Sequence, residues 1–127
     1  MDFSARVKEA LSRVTIRNEA FIDGRFCSAQ SGETFECRTP IDGSLLTHIA
    51  ACGEAEVNAA VHAARVSFES GVWSRTAPKV RKAVLLKFAE LLEENAEELS
   101  LLETLDMGKP IKNTKAADIP LVIGTVR

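Results

Sequence analysis

The sequence predicts a mixed α/β chain with a helix at the N-terminus, then short antiparallel strands, then three to four amphipathic helices. Three observations carry this prediction. Apolar residues recur at helical spacing near the N-terminus and again from Val57 onward. Between those regions, Asp23-Gly24 and Asp42-Gly43 punctuate short apolar runs, the pattern of strands joined by tight turns. Glycine and proline then separate the helical runs at Gly71, Pro78, Gly108 and Pro110. The corresponding boundaries are 1–20 for an N-terminal helix region, 21–52 for a strand meander and 53–127 for a helical region.

Phe3, Val7, Ala10, Leu11 and Val14 place one apolar stripe on a helix over about residues 3–14. The stretch Met1 to Arg17 has no continuous apolar core, so it does not read as a secretory signal. Its basic, amphipathic character fits a mitochondrial presequence in part, but Asp2, Glu9 and Glu19 favour a helix docked on the protein body. Phe21 to Phe26 reads as a hairpin around Asp23-Gly24, and Glu33 to Arg38 as a third strand. Thr39 to Gly43 turns the chain. Leu45 to Ala51 returns it, with Leu46, His48 and Ala50 expected on one face.

Glu54 and Glu56 suit the positive end of a helix whose apolar positions are Val57, Ala60, Val61, Ala64 and Phe68. Gly71 is its expected stop, and Trp73 an expected buried anchor just beyond it. Thr76 is placed to cap the next helix, with Pro78 in the first turn and Val84, Leu85, Phe88, Leu91 and Leu92 as the buried stripe. Asn95 is placed to cap a third helix reaching Met107. Leu102 and Leu105 face inward there, Gly108 takes the left-handed stop, and Pro110 blocks continuation. A fourth helix begins around 113–118, with Pro120 in its first turn. Its run Leu121, Val122, Ile123 and Val126 carries no stop signal and is expected to offer an apolar surface to further chain.

Sixteen basic and eighteen acidic residues give a formal net charge of −2, which argues against a nucleic-acid partner. No apolar run is long enough to span a membrane. Cys27, Cys37 and Cys52 lack metal-like spacing and lie far from a cluster with His48 or His62, so a zinc site is not expected. Three thiols without a signal point to a reducing, cytoplasmic compartment.

The segment Glu103-Thr104-Leu105-Asp106-Met107-Gly108-Lys109-Pro110 resembles one near the N-terminus of aldehyde dehydrogenases. In the same order as in that family come FIDGRF, TFECRTPIDG, EVNAAVHAAR, Trp73-Ser74, RKAVLLKFAELLEENAEEL and Asp118-Ile119-Pro120. The resemblance runs from about Phe21 to Arg127 and is strongest to aminoaldehyde-oxidising members, such as γ-glutamyl-γ-aminobutyraldehyde and betaine aldehyde dehydrogenases. It implies an aldehyde dehydrogenase-like α/β fold in which this chain is the N-terminal part of the cofactor-binding lobe. It also implies oxidation of an aldehyde to a carboxylic acid with NAD or NADP, in a homodimer or homotetramer completed by the remainder of the enzyme chain. In the family a cysteine thiolate attacks the carbonyl, hydride passes to the nicotinamide, and a glutamate activates water. The nucleophile lies in an FxNxGQxC segment and the base in an ELGGK segment. Neither occurs here, so the chain alone is expected to be inactive, and none of its cysteines is assigned as nucleophile.

The resemblance further implies that Asp106, with backbone carbonyls of Cys37 and Arg38, holds a structural Na⁺ or K⁺. The residues alone also allow Asp106 to pair with Lys109 or to cap a loop amide. Arg38 departs from the small aliphatic residue usual at its position, and its guanidinium could stand in for the cation. Asp118 reads either as a helix N-cap or, by resemblance, as an acid at the aldehyde tunnel mouth facing a substrate's amino end. Ala117 and Leu121 match tunnel-lining positions and read equally well as core residues. The competing functional class is a free-standing, non-catalytic α+β interaction module.

Overall fold

The computed structural model of the chain describes residues 3–127. The element order is α1 (Phe3–Leu11), β1 (Ala20–Ile22), β2 (Arg25–Cys27), β3 (Thr34–Arg38), β4 (Leu45–Ala50), α2 (Glu54–Ser70), α3 (Pro78–Glu94), α4 (Ala96–Met107), a single turn α5 (Ile111–Asn113), a π-helical turn (Thr114–Asp118) and α6 (Ile119–Val126). Two compact units emerge. One gathers the chain up to Ile16, Arg38–Leu46 and Lys79–Arg127, and the other holds Arg17–Cys37 and Thr47–Pro78.

In the second unit, β1 and β2 pair antiparallel with Ala20 opposite Cys27, Phe21 opposite Phe26 and Ile22 opposite Arg25. Asp23 and Gly24 turn the hairpin at φ +52° and +76°, the two successive positive values that make Asp-Gly so favourable there. Phe21 and Phe26 meet edge to face at 5.1 Å, with the Arg17 guanidinium over the Phe26 ring. β3 and β4 form a separate two-stranded sheet, so the expected single meander is two hairpins. Asn18 links β4 to the chain entering β1: its carbonyl accepts from the Ala50 amide, and its side-chain amide donates to the His48 carbonyl. His48 itself is exposed, whereas Leu46 and Ala50 are half-buried, because adjacent Thr47 and Ile49 are covered as well and the strand has no clean two-face alternation.

Glu56 organises the start of α2. Its carboxylate accepts the Gly53 and Gln30 amides, both at 2.8 Å, and these two bonds hold it below the usual glutamate range. Gly71 ends the helix at φ +74° and donates to the Phe68 carbonyl. The expected apolar stripe is present on α2, but Val57, Val61 and Phe68 are exposed. Trp73 is 44% exposed rather than buried.

The first unit is built on α4. Leu101 and Leu105 are buried, Leu102 is half-buried, and Val7 of α1 is buried in the same unit. The first turn of α4 carries two acids that tie down the N-terminal segment. Glu97 accepts the Arg13 guanidinium and is also paired with Lys115, and Glu98 accepts the Thr15 amide at 2.9 Å. The Arg13 bond, then the Lys115 charge, lowers the Glu97 carboxyl below its usual range.

Two expected caps fail for one reason: the side chain donates to a carbonyl of the preceding turn instead of accepting an amide of the next helix. The Thr76 hydroxyl donates back to Val72 at 2.6 Å, and α3 starts at Pro78 without it. The Asn95 amide donates to Leu91 at 2.7 Å and so closes the end of α3 instead of opening α4. On α3 only Ala89 is fully buried. Val84, Leu85, Phe88 and Leu91 are exposed, so the expected buried stripe is an open apolar face.

Candidate functional site

Gly108 sets the geometry of the segment after α4. It takes φ +70°, donates to the Thr104 carbonyl at 2.9 Å, and sits so near Pro40 that an added Cβ would lie 3.0 Å from its ring. Pro110 then prevents α4 from continuing, and the chain re-enters helix at Ile111.

The fourth helix is less regular than its sequence suggests. It opens with the single turn α5, widens into the π-helical turn, and becomes α-helical only at Ile119, with Pro120 in the first turn of α6. Thr114 fixes that wide turn. It is 0% exposed, and its hydroxyl oxygen lies 2.9 Å from the Ile111 carbonyl, 3.3 Å from the Ser100 carbonyl and 3.4 Å from the Thr104 hydroxyl. A buried hydroxyl with several partners within reach ties this turn to α4 and α5.

Asp118 is the last residue of the π turn. It has helical backbone angles and no side-chain capping bond, so the N-cap reading does not hold. Its carboxylate faces Lys109, whose Nζ lies 2.8 Å from Oδ1 and 2.6 Å from Oδ2. Lys109 therefore pairs with Asp118, and Asp106 is exposed in the last turn of α4. Sequence reasoning missed this pair. The nine-residue separation matches neither helical nor strand pairing, and Pro110 and the π turn between the two residues decide their approach.

Ala117 is exposed and Leu121 is 70% exposed, so neither is packed into a core in this structure. Ile123 is the buried residue of α6. Lys109 also lines a groove of about 570 Å³ whose other walls include Val7, Leu101, Leu105 and Pro110.

Cys37 is half-buried, and the Arg38 guanidinium donates to the Gly43 carbonyl at 3.0 Å, folded over its own turn. Among the described residues, no group of three His, Cys, Asp or Glu side chains is arranged to hold a metal ion. The Cys52 thiol is pushed up by partial desolvation first, then by Glu56 and Cys27, which makes it a poorer nucleophile at neutral pH.

A sequence profile of the aldehyde dehydrogenase family matches residues 26–127. The chain belongs to the aldehyde dehydrogenase family. Aminoacetaldehyde dehydrogenase of Pseudomonas aeruginosa is 48% identical over 108 residues, covering 85% of this chain and 22% of that protein. The crystal structure of γ-glutamyl-γ-aminobutyraldehyde dehydrogenase from Burkholderia cenocepacia superposes with a TM-score of 0.89 at 50% identity, covering 94% of this chain and 24% of that one. Indole-3-acetaldehyde dehydrogenase of P. syringae, solved with NAD⁺, superposes with a TM-score of 0.90 at 48% identity, covering 99% of this chain and 26% of that one. The chain thus spans about a quarter of the length of these aldehyde dehydrogenases. Its helices and short antiparallel strand pairs are those of the aldehyde dehydrogenase α/β fold.

Proposed function

We propose that this chain is the N-terminal segment of an NAD(P)-dependent aldehyde dehydrogenase that oxidises an amino-substituted aldehyde to a carboxylic acid, and that the segment alone is inactive. The observation that carries the reading is the match to aldehyde dehydrogenases over most of the chain, together with aminoaldehyde oxidation named in two of the relatives. Bound NAD(P) supplies a hydride acceptor in such an enzyme. No GxGxxG phosphate-binding run occurs in the sequence. The first turns of α2 and α4 each carry two glutamates, whose charge opposes a pyrophosphate at those helix ends. The cofactor, the nucleophile and the base are therefore assigned to the remainder of the enzyme, along with contacts that build a homodimer or homotetramer.

Within this segment we assign Asp118, Ala117 and Leu121 to the aldehyde entrance. Exposure of Ala117 in the π turn and of Leu121 in the first turn of α6 supports the assignment. Asp106, with carbonyls of Cys37 and Arg38, remains our proposed site for a structural Na⁺ or K⁺. One experiment tests the substrate reading. In the full-length enzyme, Asp118→Asn raises KM for a short ω-aminoaldehyde several-fold more than for the neutral aldehyde of equal length. Equal effects on both would remove Asp118 from the substrate path.

A further inference from the structure

We propose that Lys109 is a specificity-determining positioning residue: its ammonium is the resident counter-ion of Asp118, which a cationic aldehyde must displace. The inference rests on the reading that Asp118 faces the substrate. Its own observation is the ion pair, with Nζ 2.8 Å and 2.6 Å from the two carboxylate oxygens.

The two partners are held in place by different means. Lys109 lies between the left-handed Gly108 and Pro110, so its backbone is fixed at the end of α4. Asp118 closes the π turn, whose wide geometry is anchored by the buried Thr114. The side chains retain more freedom. Lys109 is 40% exposed and Asp118 31%, so the pair is neither sealed from water nor free of its surroundings. Partly hydrated ion pairs are weakly held, and the long lysine stem lets the ammonium swing away without moving the backbone.

A primary ammonium on a substrate is chemically the same group as the lysine head: a compact cation with three N–H donors. Competition for Asp118 is therefore like for like. A neutral aldehyde meets a carboxylate already neutralised and needs no exchange. A cationic aldehyde binds only when Lys109 has moved off, so its apparent affinity is reduced by the fraction of time that Asp118 is available.

The test compares kcat/KM for the ω-aminoaldehyde with that for the neutral aldehyde of equal length, in the full-length enzyme. Lys109→Met should raise the amino-to-neutral ratio roughly three- to tenfold, through KM rather than kcat. Lys109→Gln removes the same charge but keeps an N–H donor for the loop, and it should shift the ratio the same way even if the Met variant does not fold. Lys109→Arg keeps the charge and should leave the ratio near that of the parent. In the double variant Lys109→Met with Asp118→Asn, the ratio should equal that of Asp118→Asn alone, because Lys109 acts through Asp118. An unchanged or lower ratio in the charge-removing variants, with Asp118→Asn still raising KM more for the aminoaldehyde than for the neutral aldehyde, overturns the role of Lys109 alone. Equal effects of Asp118→Asn on the two aldehydes overturn the underlying substrate reading.

Discussion

Gly108 combines two demands that only glycine meets without strain: a φ of +70° and a Cβ position 3.0 Å from the Pro40 ring. Gly108→Ala should destabilise the protein by about 1–2 kcal/mol from the left-handed backbone alone, with any yielding of Pro40 in addition. Denaturant unfolding measures this, and an unshifted midpoint would show that the segment relaxes freely. Three carboxylates set the response to acid. Asp42 is lowered by its Ser44 hydrogen bonds, Glu56 by the Gly53 and Gln30 amides, and Glu97 by Arg13 and then Lys115. Each has a folded-state pKa below its unfolded one, so the stability it contributes is present above the ordinary carboxylate range and is lost as pH falls through the folded value. Thermal midpoints should therefore drop between neutral and acidic pH. Glu56→Gln should flatten part of that drop. A variant that keeps the full parental slope would show that Glu56 does not contribute to it.

At the level of elements, local chemistry explains what could be read in one dimension. The Asp23-Gly24 hairpin and the Gly71 and Gly108 helix ends appear as expected, because each depends on a positive φ that few residues adopt. The Thr76 and Asn95 caps were not recoverable, since each side chain can either accept from a backbone amide ahead of it or donate to a carbonyl behind it, and only geometry decides between them. The π turn was equally hidden, because it depends on burial of the Thr114 hydroxyl between α4 and α5. Of the candidate site, Asp118 was legible as an isolated acid and Lys109 was not legible as its partner. Thr114→Val, nearly the same shape, should destabilise by roughly 1–3 kcal/mol because it removes the hydrogen bonds of a fully buried hydroxyl to the Ile111 and Ser100 carbonyls and the Thr104 hydroxyl. Unfolding measurements on Thr114→Ser would separate hydroxyl from methyl: Ser should retain most of the stability, and a loss equal to that of Val would assign the effect to packing.

Across the molecule, the apolar faces of α2, α3 and α6 are open. Phe68 is 64% exposed, Phe88 48% and Leu121 70%. Exposed apolar faces of this kind mark contact with other polypeptide. Residues 1–127 alone should therefore bind a hydrophobic dye and self-associate, and the full-length enzyme should not. A dye-silent, monomeric segment would favour the free-standing module instead. The π turn also has a consequence for what this surface presents. The wide turn carries five residues, Thr114–Asp118, through about the angle that four cover in an ordinary α-helix, where each residue advances about 100°. Deleting one of the five and restoring α-helical winding should therefore leave Ile123 facing inward, whereas deleting one residue at the start of α6 with the wide turn kept would swing the rest of that helix by about 100°. The wide turn thus absorbs one residue of chain length without changing which stripe of α6 other polypeptide meets.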